Sequence, residues 1–163
     1  LESFNDQIAR TGCKPSTELL KLKVTEMPKH MCNHFGLNTS EKFVYLYRRR
    51  LADDDPIVTV ETYLPFDKCA FVMAHDFEKE SLYNVLAESG KARICRVTRI
   101  LEAVGANTQD VDNLNVRRGK PIQLSTTIGY NDAEEPIEYS VARYRGDRNR
   151  FEVDLLIDTR IEK

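Results

Sequence analysis

The fold is decided by residues 43–64, which read FVYLYRRRL-ADDDP-IVTVETYL. Two runs rich in β-branched and aromatic residues flank a short acidic segment that ends in proline, a combination typical of two strands joined by a turn. We therefore predict a β-hairpin with strands at Phe43–Leu51 and Ile57–Leu64 and a turn at Ala52–Pro56. Strands joined by so short a turn run antiparallel, so this stretch predicts an antiparallel sheet.

A second hairpin follows the same plan at residues 121–144, which read PIQLSTTIGY-NDAEE-PIEYSVARY. Phe35 and Leu114 precede the two hairpins and are 79 residues apart, while Pro56 and Pro136 are 80 residues apart. The repeated order of helix, strand, turn and strand predicts two similar halves with a pseudo-symmetric cleft between them.

Shorter patterns complete the predicted secondary structure. Alternation of apolar and polar residues predicts further strands at Ser16–Thr25, Ala92–Leu101 and Arg150–Ile157. Capping residues and apolar spacing predict short helices at Ser3–Gly12, from Pro28 to Gly36, at Lys79–Glu88, and from a capping Thr108 onward. We therefore expect one α+β domain over residues 1–163, with a mostly antiparallel sheet flanked by short helices.

Composition and charge exclude several classes of protein. The chain has 163 residues, 24 Lys and Arg against 26 Asp and Glu, a formal charge of -2, and 41% hydrophobic residues. This balance disfavours nonspecific DNA binding by the segment itself, because phosphate binding draws on clustered Lys and Arg. No apolar run approaches the roughly 20 residues that span a bilayer, and residues 1–6 lack the layout of a signal peptide. The sequence therefore indicates a soluble, cytoplasmic globular domain without membrane contact.

Cysteine and histidine spacing gives no sign of a disulfide framework or a metal centre. The four cysteines are far apart and form no C-x-x-C pair: Cys13, Cys32, Cys69 and Cys95. We expect buried free thiols in a reducing cytoplasm. His30 and His34 flank Cys32, but a helix turns Cys32 away from the histidine stripe and no further ligand lies nearby. We expect no bound metal and no cofactor.

Arg48 and Arg50 are the first candidates for a binding site. Alternate residues of a strand share a face, so the two guanidinium groups point the same way, while Arg49 takes the other side. Such a pair suits a phosphate or a carboxylate. The alternative is a charged solvent face near the turn, or ion pairs with the acidic residues 53–55.

Four polar residues in two other segments could complete such a site. Ser81 lies in the first turn of the helix predicted at Lys79–Glu88, where its hydroxyl would help to bind an anion or simply cap the helix. Glu138, Ser140 and Tyr144 share one face of the strand after the second turn. They would line one wall of a site for a ligand with hydroxyl groups, or form an exposed edge face.

No recognisable catalytic motif is present in the sequence. It contains no G-x-S-x-G, no glycine-rich phosphate loop and no H-E-x-x-H, and His75 stands alone. Because a pocket without a nucleophile and a base favours binding over turnover, we expect that the protein is not an enzyme.

Several motifs also occur in a characteristic order along nearly the whole chain. They are Arg10-Thr11-Gly12, Lys14-Pro15-Ser16, Arg48-Arg49-Arg50-Leu51-Ala52-Asp53, Pro56-Ile57, Tyr63-Leu64-Pro65, Ser81-Leu82-Tyr83, Gly119-Lys120-Pro121, Pro136-Ile137-Glu138-Tyr139-Ser140 and Tyr144-Arg145-Gly146-Asp147-Arg148. Each motif is weak alone, but their order and spacing resemble the UTRA domain, the effector-binding half of HutC-type GntR bacterial transcription regulators.

The resemblance implies a fold similar to chorismate lyase, a homodimer, and a pocket for a small anionic effector such as a sugar phosphate. In members that respond to sugar phosphates, the R-x-R pair and the S-L-Y serine hold the phosphate, and the P-I-E glutamate and a later tyrosine meet the rest of the ligand. Carried over to this chain, the implied effector-binding residues are Arg48, Arg50, Ser81, Tyr83, Glu138 and Tyr144.

The chain departs from the family pattern at one position. Many members carry a glutamate five residues before the proline of Y-L-P, where this chain has Val60, with Glu61 one step later. A one-residue step on a strand changes the face, so Glu61 reaches the pocket only if a bulge restores it. Glu61 is therefore a weaker candidate for effector binding.

The resemblance favours the ligand-sensing domain of a GntR/HutC-type regulator, a repressor, in which ligand modulates DNA binding. DNA would be contacted only through a winged helix-turn-helix domain that precedes Leu1 in the full protein. The first alternative is a chorismate lyase-like enzyme acting on a small carboxylate substrate. The second is a dimerisation domain with a vestigial pocket.

Overall fold

One six-stranded antiparallel sheet forms the framework of the part of the chain that the structure describes. The computed structural model describes residues 8, 10–35 and 41–153. The strands are β1 (Pro15–Glu26), β2 (Lys42–Ala52), β3 (Asp55–Pro65), β4 (Arg96–Gly105), β5 (Pro121–Tyr130) and β6 (Pro136–Arg145). They lie in the order β1-β2-β3-β6-β5-β4 and every neighbouring pair is antiparallel. The predicted α+β class is confirmed.

Among the described residues, four short α-helices connect and cover the strands. They are α1 (Lys29–Phe35), α2 (Phe66–Cys69), which runs into a 3₁₀ helix at Ala70–Ala74, α3 (Leu82–Glu88) and α4 (Thr108–Leu114). Within the described ranges, none of these helices is long and apolar enough to cross a membrane.

The strand order shows the internal repeat as two halves that pair with each other. β1, α1, β2 and β3 form one half, and β4, α4, β5 and β6 repeat that plan. β3 and β6 are hydrogen-bonded at the centre, so the halves share one continuous sheet. The prediction of two similar halves agrees with this order, but a cleft between them does not: each half presents an open strand edge, and the two edges pair.

The first hairpin turns more sharply than the sequence predicts. Ala52 pairs directly with Asp55, so the turn contains only Asp53 and Asp54. Both have left-handed backbones, with φ of 48° and 64°. Two-residue hairpins prefer this conformation because its twist matches that of the strands, and aspartate tolerates it better than most residues. The second hairpin has the predicted β5 and a β6 one residue longer than predicted.

Several predicted boundaries are wrong by a few residues. The helix expected from Lys79 starts only at Leu82, and the strand expected at Ala92–Leu101 is shifted to Arg96–Gly105. Asn107 caps α4 in place of Thr108, because its side chain accepts a hydrogen bond from the Asp110 amide while the Asp110 carboxylate accepts one from the Asn107 amide. This reciprocal arrangement satisfies two donors that Thr108 alone would leave open.

The predictions for the two ends of the chain are only partly covered. Residues 150–153 are not a strand, and Phe151 and Val153 are half exposed, so alternation alone was misleading there. Positions 154–157 of that predicted strand, most of the helix predicted at Ser3–Gly12, and Gly36 lie outside the described residues. The four cysteines are free, but only Cys32 and Cys69 are buried, and Cys95 is exposed.

The two faces of the sheet pack against different helices. The α3 face carries α2, the 3₁₀ helix and α3, and its main core includes Leu46, Leu64 and Leu86, each fully buried. Complete burial of one such side chain contributes about 1.5–3 kcal/mol. The α4 face carries α1 and α4, with Phe43 in a second cluster.

Candidate functional site

The register of the sheet places four predicted site residues on the α3 face. Arg48 pairs with Val60, which pairs in turn with Ala142, and Arg50 aligns through Val58 with Tyr144. Directly paired residues share a face, and alternate residues along a strand return to it, so Glu138 lies there too.

Arg48 is the most unusual residue of this group. Its side chain is only 5% exposed, and its Nε atom has no hydrogen-bond partner within the described part of the chain. Burial, reinforced by the nearby charge of Arg50, lowers the pKa of Arg48 to about 9. The guanidinium therefore remains charged at neutral pH, and a buried charge of this kind is unfavourable unless something compensates it.

Glu138 ends a chain of hydroxyl groups that links β3, β6 and α3. Thr62 donates to Ser140 over 2.8 Å, because the Ser140 hydroxyl itself donates to Glu138 Oε1 over 2.5 Å. Tyr83 donates to Glu138 Oε2 over 2.8 Å. Burial raises the pKa of Glu138, although both hydroxyls and the charges of Arg48 and Arg99 oppose the rise.

Gly129 on β5 makes room for this carboxylate. It pairs with Glu138, and a Cβ added at Gly129 would lie 3.0 Å from both Glu138 Oε2 and Ile94 Cδ1. A larger residue would therefore press on the Glu138 side chain, which would have to give way by a few tenths of an ångström. A glycine within a strand is unfavourable for the strand itself, so its presence fits this close approach.

α3 brings the S-L-Y motif to the same site. Ser81 is the N-cap residue of the helix, but its side chain makes no capping hydrogen bond, so the simple capping role weighed from the sequence is not seen. Tyr83, in the first turn, reaches Glu138. Burial, followed by the charge of Glu138, raises the pKa of Tyr83, so its hydroxyl remains a donor.

Glu61 lies on the opposite, α4 face and is not part of this group. It pairs with Tyr47 and accepts a hydrogen bond of 3.3 Å from Gln109 of α4. The register of β2 and β3 shifts only between Arg50 and Leu51, next to the turn. Because Arg48 still pairs with Val60 and Tyr47 with Glu61, no bulge returns Glu61 to the α3 face. Val60 therefore occupies the position where the family pattern has a glutamate.

Three polar residues near this site were not predicted from the sequence: Arg99, Thr127 and Thr62. Arg99 on β4 donates through Nε to Thr127 Oγ1 over 3.0 Å, and Thr62 belongs to the hydroxyl chain. Arg99 lies in no motif, and only its alternation with Val97 and Leu101 hinted at a shared face. Its closeness to Glu138 depends on the β4–β5–β6 pairing, which local patterns do not encode.

A cavity of about 580 Å³ lies beside this group at the β4 end of the sheet. The sheet contributes Arg99, Ser125 and Tyr144 to its lining, and the segment after β6 contributes Arg148 and Arg150. Tyr144 lines the cavity and aligns across the sheet with Arg50. Arg48 and Glu138 are buried and do not line the cavity. The candidate site is therefore centred on the buried charges of Arg48 and Glu138, and the cavity lies beside it.

Three comparisons agree with the family named from the sequence. The UTRA domain model matches residues 10–150. The transcriptional repressor NagR of Bacillus subtilis is 24% identical over 151 residues, which are 93% of this chain and 62% of that repressor's length.

Two solved structures share the fold. The effector domain of PhnF from Mycobacterium smegmatis superposes with a TM-score of 0.84 at 18% identity, covering 95% of each chain. The ligand-binding domain of a GntR-family regulator from Bordetella bronchiseptica gives a TM-score of 0.76 at 21% identity, covering 88% of this chain and 91% of that one. The family model covers most of the chain, and the chain therefore belongs to the UTRA domain family.

Proposed function

We propose that this chain is the ligand-sensing domain of a GntR/HutC-type transcription repressor and that it binds a small anionic metabolite on the α3 face. The observation that carries the proposal is Arg48, a buried guanidinium with an Nε that no described residue satisfies. A phosphate or carboxylate would supply the missing charge and acceptor together. Arg50 on the same face and Ser81 at the start of α3 would hold the same anionic group.

Glu138 would select what is attached to that anion. Its two oxygens already accept from Ser140 and Tyr83, and each carboxylate oxygen retains a second lone pair. A ligand hydroxyl is the matching donor. Tyr144 would contact the same part of the ligand, so a phosphorylated sugar fits the combination of arginines on one side and acceptors on the other.

Ligand binding would be coupled to DNA through the position of α3. Ser81 and Tyr83 lie on this helix, whereas Arg48 and Arg50 lie on β2, so a bridging anion would fix the distance between helix and sheet. A ligand shifts such an equilibrium only by its differential affinity for the two arrangements. We place DNA contact in a winged helix-turn-helix module outside residues 1–163, in a cytoplasmic homodimer.

The test is thermal and urea unfolding of the purified chain with phosphorylated sugars, phosphonates and carboxylates. A true effector at 100 times its Kd should raise the free energy of unfolding by about 2.7 kcal/mol. Arg48→Gln should abolish this gain. Glu61→Gln is the matched control, because it removes a charge from the neighbouring strand on the other face and should retain the gain.

If no anion changes the unfolding curve of the wild-type chain, the proposal fails. If an anion stabilises Arg48→Gln as much as wild type, the binding site lies elsewhere. The lyase alternative has its own readout: release of pyruvate from chorismate by the chain would assign it an enzymatic role in place of the sensory one.

A further inference from the structure

Arg99 is a third arginine on the α3 face. It lies on the edge strand β4, whereas Arg48 lies on β2. β2 and β4 are four strand spacings apart, so their backbones are separated by about 19 Å. Both guanidinium groups nevertheless lower the pKa of Glu138 and act on Tyr83. Arg99 pairs with Thr127 and Thr127 pairs with Ser140, the donor to Glu138, so β6 carries this carboxylate midway between the strands of the two arginines.

The contacts of Arg99 hold it in place without neutralising it. Its Nε donates to Thr127, which fixes the orientation of the guanidinium group, and among the described residues no carboxylate lies within ion-pair distance of it. The side chain lines the 580 Å³ cavity and is exposed to it. Its terminal nitrogens thus remain available to a ligand in that cavity.

The acidic residues of the cavity are already engaged by other arginines. Asp147 binds Arg145 at 2.9 Å, and Glu152 binds Arg150 at 3.0 Å. Asp147 and Glu152 are the carboxylates in the cavity lining, so the charge that Arg99 adds is not cancelled there. The lining therefore favours an anion near Arg99.

We propose that Arg99 binds a second anionic group of the effector, so that the ligand class is a phosphorylated acid or a bisphosphate rather than a neutral sugar carrying one phosphate. One anionic group lies at Arg48 and Arg50, which the cavity approaches through Tyr144, and the other lies at Arg99 in the cavity itself, with Glu138 between them accepting hydroxyls. This inference rests on the proposed function, since it concerns the same ligand. It adds a specificity-determining residue to the site.

Two matched probes test the second anionic group. Glucose 6-phosphate and 6-phosphogluconate have the same phosphate and similar length, but only the second carries a carboxylate at the far end. Titration calorimetry should show that the wild-type chain binds 6-phosphogluconate at least about tenfold more tightly, the factor expected for a charge-assisted hydrogen bond. Inorganic phosphate serves as the reference for the first anionic group alone.

Three variants assign the preference to Arg99. Arg99→Gln should bring the affinity ratio of the two probes to about one, with little change for glucose 6-phosphate. Arg48→Gln should weaken both probes alike. Arg96→Gln is the matched control on β4, because Arg96 is exposed, lies three positions away on the other face and pairs with Glu134, so the ratio should remain as in wild type.

Equal binding of the two probes to the wild-type chain overturns the inference. So does an Arg99→Gln variant that keeps the full preference. In both cases the proposed function survives as long as Arg48→Gln weakens binding of either probe. If neither probe nor any other anion binds the wild-type chain, the proposed function itself fails and this inference falls with it.

Discussion

Each face of the sheet carries an arginine and a buried carboxylate, but the two faces treat these charges differently. On the α4 face, Arg143 makes two hydrogen bonds of 2.7 Å to Asp110, whose side chain is 1% exposed. The same Asp110 completes the capping box of α4. The charges on this face are satisfied by the chain itself.

On the α3 face the corresponding charges are not paired with each other. Glu138 takes its hydrogen bonds from hydroxyl groups, and no ion pair joins it to Arg48 in the part of the chain that the structure describes. The Arg143–Asp110 pair joins β6 to α4, whereas Arg48 and Glu138 are not paired with each other among the described residues. The two arginines therefore differ in hydrogen bonding: Asp110 satisfies Arg143, whereas the Nε of Arg48 has no partner in the described part of the chain.

The largest expected effect comes from breaking the satisfied pair. Asp110→Asn leaves Arg143 without its counter-charge and weakens the cap of α4, so we expect the free energy of unfolding to fall by about 3 kcal/mol. Urea unfolding measures this. Asp112→Asn is the matched control, because Asp112 is exposed on the same helix. A loss no greater for Asp110→Asn than for Asp112→Asn would show that the pair is not stabilising.

Replacing Arg48, whose Nε has no hydrogen-bond partner in the described part of the chain, should change the free energy of unfolding in the opposite direction. Arg48→Met keeps much of the side-chain volume and eliminates a buried charge, so without ligand we expect the free energy of unfolding to rise by about 1–2 kcal/mol. The reason is that the guanidinium is desolvated without a paired carboxylate in the described ranges. Chemical unfolding in a buffer free of phosphate measures the change.

Arg143→Met is the matched control for that change, since it makes the same substitution on the other face. It should lower the free energy of unfolding, because it leaves Asp110 buried without its ion pair. If both methionine variants are destabilised alike, the contrast between the two faces is wrong, and Arg48 contributes to the fold as Arg143 does.

The sequence was sufficient for the features that depend on local periodicity. Both hairpins, and the shared face of Arg48 and Arg50, follow from turn chemistry and from the two-residue period of a strand. The same parity placed Glu138 with Tyr144. It also made the position of Glu61 conditional on a bulge, and the register shows that no bulge lies between Arg48 and Glu61.

What the sequence did not reveal depends on pairing between distant segments. Arg99 approaches Glu138 only because β4 and β6 flank β5, an order that no local pattern specifies. The partnership of Arg143 with Asp110 was missed for the same reason, since it joins a strand to a helix 33 positions away. Hydrogen-bond satisfaction, which separates Arg48 from Arg143, is a property of the assembled fold alone.

The smallest expected effect concerns Glu138 and depends on pH. Burial raises the pKa of Glu138 in the folded chain above its usual value of 4.5, so between those two pKa values the folded state holds a proton that the unfolded state has lost. The free energy of unfolding should therefore fall as pH rises through that window, by at most about 1.4 kcal/mol per pH unit, and stay lower above it. Glu138→Gln removes the titration and should flatten this part of the curve.

Urea unfolding of both proteins between pH 4 and pH 8 measures the difference, which should grow in favour of Glu138→Gln as pH rises. The hydroxyls of Ser140 and Tyr83 can rotate to the amide oxygen, so the fold should persist. Identical pH dependence in the two proteins would mean that the burial of Glu138 is fully offset by its hydrogen bonds and by the nearby charges. The α3 face would then be satisfied by the chain, and its role in binding would depend on the arginines alone.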